Sequence, residues 1–198
     1  DQFFYAFPPR LTQLAKNLSR DNSVSFNILY APTWRDDQSF VINEHFDFSK
    51  LNVLLQEKGS VLYIKLHPSD KAEVSNEYSH IKVVAKEKDI YELVDECELL
   101  ITDYSSMLFE YLYIGRNVLL YCPDYEDYQK NSREFYFNVY KDLPFSVSYN
   151  FESLIDAIMT ELNNRNHTLK IPDYYRPYQV HENLLDEIMV RLYTKNYE

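Results

Sequence analysis

Residues 99–106 read Leu99-Leu100-Ile101-Thr102-Asp103-Tyr104-Ser105-Ser106. Three apolar residues in a row suit a short strand buried on both faces. Thr, Asp and Ser follow, the residue types that cap helices. Residues 105–114 then keep helical spacing and stop at Gly115, a natural C-cap. A buried strand leads through a polar turn into a helix, which is the repeating unit of an α/β sheet.

The same alternation runs outward in both directions. Upstream, residues 26–31 are β-rich and end at Pro32. Residues 48–58 have helical spacing, with Phe48, Leu51, Val53, Leu54 and Leu55 available for burial, and stop at Gly59. Residues 61–66 form a second strand, stopped by His67-Pro68, and residues 81–84 a third. The spacing predicts a short helix over 71–78 and another over 89–96, with Ile90, Leu93 and Val94 on one side. Downstream, residues 117–121 are a fifth strand, residues 124–150 are loop-rich and aromatic, and residues 151–163 are an amphipathic helix. A connector with two prolines over 167–177 leads to a last helix over 180–193. Short apolar strands alternating with helices predict a doubly wound, mainly parallel α/β sheet. The expectation is one domain over 1–198, with a core at about 25–165 and a C-terminal connector and helix at about 166–195.

Composition narrows the function. Lys plus Arg number 20 against 31 Asp plus Glu, a net charge of -11, which argues against nucleic acid as a partner. Two glycines, Gly59 and Gly115, are too few for the Gly-rich phosphate loops of P-loop or dinucleotide-binding domains. Two cysteines, Cys97 and Cys122, are no disulfide framework and suit a reduced cytosolic domain. Neither a CxxC pair nor histidines at metal-ligand spacing occur, so no metal site is expected. No apolar run reaches the roughly 20 residues that span a bilayer. The chain starts at Asp1, not Met, and reads as an excised fragment or a processed chain.

In an open α/β sheet the ligand sits beyond the carboxyl ends of the strands. There the first strand delivers Thr33-Trp34-Arg35, the second His67, the fourth Thr102 to Ser106 and the fifth Asp124. Unpaired N–H groups after the fourth strand, with the Ser105 and Ser106 hydroxyls, suit a phosphate, and Asp103 can cap the helix. The competing reading is simply a well-capped helix. His67 can donate a hydrogen bond or a proton to a phosphate, or be a hydrogen-bonded loop residue. Glu110 can accept from two ribose hydroxyls, or be an exposed helix-face charge. Arg35 and Arg133 are candidate phosphate clamps, with salt bridges as the alternative. His45, His80, His167 and His181 read as surface residues. No GxSxG elbow supports a hydrolase triad.

Together these words resemble a known family. Ala31-Pro32-Thr33-Trp34-Arg35-Asp36, Leu66-His67-Pro68, Asp89-Ile90-Tyr91-Glu92-Leu93, and Leu100 to Ser106 with Phe109-Glu110 are similar in order and spacing to the CDP-glycerol glycerophosphotransferases, the teichoic-acid and capsule polymerases. Tyr121-x-x-Asp124-x-x-x-Tyr128 and Arg133-x-Phe135-Tyr136 continue the pattern. Glu134 and Phe145 stand where the family often has glycine.

The resemblance implies the donor-nucleotide half of a GT-B enzyme, covering about residues 7–190. It would transfer glycerol phosphate, or another alditol phosphate, from a CDP-alditol to a hydroxyl of a cell-surface polymer, and release CMP. His67 would be catalytic. Arg35, Thr102, Asp103, Ser105, Ser106 and Arg133 would bind the donor phosphates, and Glu110 the ribose. The partners implied are a CDP-linked donor and a polymer acceptor held by a missing N-terminal half. No cofactor is implied, and a divalent metal stays open. The location implied is the cytoplasm, at the inner membrane face, with membrane contact only through parts absent from this chain. Two alternatives remain at this stage: half of a GT-B glycosyltransferase or epimerase using a UDP- or GDP-sugar, and a non-catalytic binding domain.

Overall fold

The computed structural model describes residues 26–35, 41–72, 74–75, 77–131 and 147–165, all within the compact unit Arg20–Leu169. The strands there are β1 (Asn27–Tyr30), β2 (Val61–Ile64), β3 (Ile81–Val83), β4 (Leu99–Thr102), β5 (Asn117–Tyr121) and β6 (Val147–Ser148). They form one parallel sheet in the order β3-β2-β1-β4-β5-β6. In the centre, Ile28 of β1 lies opposite Leu62 of β2 and Leu99 of β4. The helices are α1 (Ile42–His45), α2 (Phe48–Lys58), α3 (Tyr91–Val94), α4 (Met107–Tyr113), α5 (Tyr125–Asn131) and α6 (Phe151–Asn163). The expected doubly wound parallel α/β sheet is what the chain forms.

The period of two along each strand sorts the core into two faces. Ile28 and Tyr30, Leu62 and Ile64, Leu99 and Ile101, Leu119 and Tyr121 join α2 and α6 in one cluster, through Leu51, Leu54, Leu55, Leu154, Ile155, Ile158 and Leu162. Phe46 sits in this cluster, its ring centroid 4.9 Å from Tyr30 and 5.2 Å from Tyr121. On the other face α4 packs on β4 and β5. Leu29, Leu100, Val118 and Leu120 are buried there, as are Leu108, Tyr111 and Leu112 of α4. With β1, β4 and β5 buried along their whole length, the central strands carry no alternation of polar and apolar residues.

Caps set the helix ends. Asp47 accepts from Lys50 N at the start of α2, and Asn150 accepts from Ser153 N at the start of α6. Gly59 ends α2 at φ 61°, and Gly115 follows α4 at φ 74°. Four local expectations need correction. The described residues within 71–78 form no helix: Asp70 Oδ1 accepts from Ala72 N, and Ser75 Oγ from Glu77 N, so side chains take the backbone donors instead. Residues 125–131 are helix and residues 147–148 are strand, where loop was expected. One is a polar helix with no apolar stripe, and the other is too short to show a period. His80 is half-buried, its Nδ1 2.8 Å from the Ser60 carbonyl. His45 is half-buried too, and its carbonyl accepts from the Tyr121 hydroxyl. The connector, the last helix, His167, His181 and Arg133 lie outside the described residues.

Cys97 and Cys122 are both buried and unpaired with each other. Burial pushes the Cys97 thiol up to about 12. No helix of the described residues is long and apolar enough to cross a membrane.

Gly59 has open space where a Cβ would stand, so Gly59→Ala meets only the backbone cost of a left-handed residue. The expected loss is about 1 kcal/mol by urea unfolding. A loss above about 3 kcal/mol would reveal crowding that this turn does not contain.

Candidate functional site

The order of strands reverses between β1 and β4, the place where an open parallel sheet ordinarily offers a ligand crevice beyond its strand ends. Residues 31–35 leave β1 on one side, and residues 103–106 leave β4 on the other. The two loops are tied together at several points. Ala31 N donates to Ile101 O, and the Thr102 hydroxyl to the Ala31 carbonyl at 2.6 Å. Asp103 Oδ1 accepts from Thr33 N and from Tyr104 N.

Arg35 completes the tie. Its Nη2 donates to Asp103 Oδ2 at 2.8 Å, its Nε to Asp124 Oδ2 at 2.8 Å, and its Nη1 to the Thr33 carbonyl. The guanidinium also lies 4.8 Å from the Tyr104 ring and 4.9 Å from the Tyr128 ring. Those two rings stack on each other at 3.6 Å. Arg35 is 5 % exposed and Asp103 2 %. Burial works against the charge on Arg35, but Asp103 and Asp124 outweigh it and hold the guanidinium protonated. Burial also pushes the Asp103 carboxyl up, against Arg35 and the Thr33 N–H, which pull it down. Attraction within the pair is thus largely offset by desolvation, as for other buried ion pairs.

Three residues expected at the donor phosphates bond within the chain itself. Arg35 grips the carboxylates of Asp103 and Asp124. Asp103 holds the β1 loop and does not cap α4. Thr102 is fully buried, and its hydroxyl joins two strand ends. The salt-bridge alternative for Arg35 was legible; its burial, and the choice of Asp103 and Asp124, were not.

The remaining expected residues face outward around this tie. Ser105 Oγ accepts from Met107 N, the first residue of α4. Ser106 is exposed and makes no side-chain cap bond. His67 is exposed just past β2, and its Nδ1 accepts from Ser69 N at 3.2 Å. An Nδ1 that accepts leaves Nε2 as the N–H of the neutral ring. Glu110 is half-buried on α4, its Oε2 accepting from the Tyr91 hydroxyl at 2.7 Å. Tyr91 opens α3, where its N–H donates to Asp89 Oδ1. Trp34 stacks on His67, ring centroids 5.4 Å apart and 16° from parallel. Sequence reasoning placed Trp34 at the rim without assigning it a role and missed Tyr91 as a neighbour of Glu110, although both fall in the stretches that carried the resemblance.

An open parallel sheet whose switch point presents an imidazole, hydroxyls and a carboxylate has the architecture of a nucleotide-type ligand domain. Comparison with known proteins makes this specific. Residues 9–182 match the family described as CDP-Glycerol:Poly(glycerophosphate) glycerophosphotransferase, and the chain belongs to that family. It is 34 % identical over 167 residues to a teichoic acid poly(glycerol phosphate) polymerase of Bacillus subtilis (strain 168), covering 81 % of this chain and 21 % of that protein. It is 31 % identical over 158 residues to a teichoic acid ribitol-phosphate primase of Bacillus spizizenii (strain ATCC 23059 / NRRL B-14472 / W23), covering 78 % of this chain and 40 % of that one. The structure of the wall teichoic acid polymerase TagF superposes with a TM-score of 0.59 at 25 % identity, covering 95 % of this chain and 47 % of TagF. The chain spans less than half the length of these relatives.

Arg35→Ala removes the cation from a buried carboxylate pair. The expected loss is about 3–5 kcal/mol by urea unfolding. The double change Arg35→Ala with Asp103→Ala should cost less than the sum of the two single changes. Strict additivity would show that the two side chains do not depend on each other.

Proposed function

We propose that this chain is the donor-binding part of a transferase that moves an alditol phosphate from a CDP-alditol to a hydroxyl of a cell-surface polymer. The observation that carries this is the run of contacts His67–Trp34, Thr33–Asp103, Asp103–Tyr104, which joins an outward imidazole to the Ser105–Ser106 turn at the strand-order reversal. Family membership supports the CDP-linked donor, and a TagF crystal soaked with CDPG supports it further.

The pyrophosphate would lie between His67 and the start of α4. The Nε2–H of His67 and the Ser106 hydroxyl would donate hydrogen bonds to it. Glu110, oriented by Tyr91, would accept from the ribose hydroxyls. The acceptor oxygen attacks the phosphorus that bears the alditol, the bond from that phosphorus to the bridging oxygen breaks, and CMP leaves with the bridging oxygen and its electron pair. The hydroxyl proton goes to a base supplied from outside the described residues. Little covalent chemistry falls to this part, and its work is positioning and charge neutralisation. Arg133 would add a further positive charge. Relatives named for glycerol and for ribitol both match, so the alditol is left to the test. The proposed location is the inner face of the cell membrane, reached through parts outside this chain.

Calorimetric titration with CDP-glycerol, CDP-ribitol, CMP, UMP and GMP tests the reading. Cytidine ligands should bind in preference to UMP and GMP. His67→Ala and Ser106→Ala should each weaken binding about tenfold, the worth of one charge-assisted hydrogen bond, without unfolding the chain. Tighter uridine or guanosine binding would move the reading to sugar transfer. Unchanged affinity in both variants would refute the proposed site.

A further inference from the structure

His67 is exposed, and an exposed imidazole ordinarily turns freely about its side-chain bonds. Here two contacts hold it. Ser69 N donates to Nδ1 at 3.2 Å, and the Trp34 indole stacks on the ring with centroids 5.4 Å apart and planes 16° from parallel. The first contact selects the tautomer with the proton on Nε2. The second opposes rotation of the ring out of that plane, because turning it would break the stack.

Trp34 is itself rigidly placed. The residue before it donates its N–H to Asp103 Oδ1, and the residue after it is the buried Arg35. Its own indole N–H is buried and has no hydrogen-bond partner among the described residues, while its face meets His67.

We infer that Trp34 is a positioning residue, whose stacked indole holds the His67 imidazole with Nε2–H turned toward the donor phosphates. The inference rests on the reading of His67 given above. It also links the buried ion pair to the ligand, since Arg35 and Asp103 fix the loop, the loop fixes Trp34, and Trp34 fixes His67.

The test pairs imidazole 15N spectra with CDP-glycerol affinity in four variants. Trp34→Phe keeps a π face and drops the N–H. Trp34→Leu fills the space without a π face, and urea unfolding establishes that it folds. His67→Ala assigns the signals and measures what His67 itself contributes, and Asp70→Asn is a control beside the site. The native chain and Trp34→Phe should show His67 with its proton on Nε2 and affinities within about twofold of each other. Trp34→Leu should show nitrogen shifts averaged between the two tautomers and affinity reduced about fivefold. A native spectrum and native affinity in Trp34→Leu would overturn the inference, as would a Trp34→Phe variant as impaired as Trp34→Leu. Unchanged affinity in His67→Ala would refute the donor-site reading instead, and the spectra of Trp34→Leu would then decide the stacking alone.

Discussion

The ion pair between Arg35 and Asp103 is the constraint on which the rim of this domain depends. One guanidinium reaches the loops that follow β1, β4 and β5, because Asp103 and Asp124 close on it from two strand ends. Neither Arg35 nor Asp103 has enough water around it to stand alone. Taking such charges out of water costs several kcal/mol per ion, and a fork-shaped cation between two carboxylates recovers most of it. The gain is in geometry more than in stability. Loops at strand ends are ordinarily the softest part of an α/β sheet, and here two of them are locked across the crevice where a ligand would lie.

That lock divides the polar residues of the rim into two sets. Asp103, Arg35 and Asp124 point at one another, and Thr102 bonds the Ala31 carbonyl, so these four build the frame. His67, Ser106 and Glu110 stand outside it, where a nucleotide can reach them. Ser105, Trp34 and Tyr91 lie between, each holding a neighbour in place. An acidic chain can bind a diphosphate under these conditions. Asp103 and Asp124 are spent on Arg35, and Glu110 already accepts from a tyrosine hydroxyl.

The parallel sheet was legible because buried central strands are short apolar runs, and each is closed by Pro, Gly or a capping residue. Residues 61–66 and 99–102 show this plainly. Residues 125–131 were not legible, since a polar helix has no apolar stripe to betray it. Residues 71–78 misled because their spacing suits a helix, while Asp70 and Ser75 divert the backbone donors that a helix needs. At the site, His67 and Glu110 could be placed at strand and helix ends from order alone. The partners of Arg35 could not, because Asp103 and Asp124 lie 68 and 89 residues away in sequence. Only the fold brings them together, and a lone arginine in sequence gives no sign of whether it will face a ligand or a carboxylate.

The central claim is that a cytidine diphosphate ligand lies in the crevice between the β1 and β4 loops. Backbone amide chemical shifts followed during titration with CDP-glycerol test it most directly. The account predicts shifts concentrated at His67, Ser69 and residues 103–107 and at Tyr91 and Glu110, with smaller ones at Trp34. Shifts confined to the cavity of about 440 Å³ lined by Cys122, Pro123, Asp124, Tyr125, Glu126, Asp127 and Tyr149 would contradict it and move the ligand past β5.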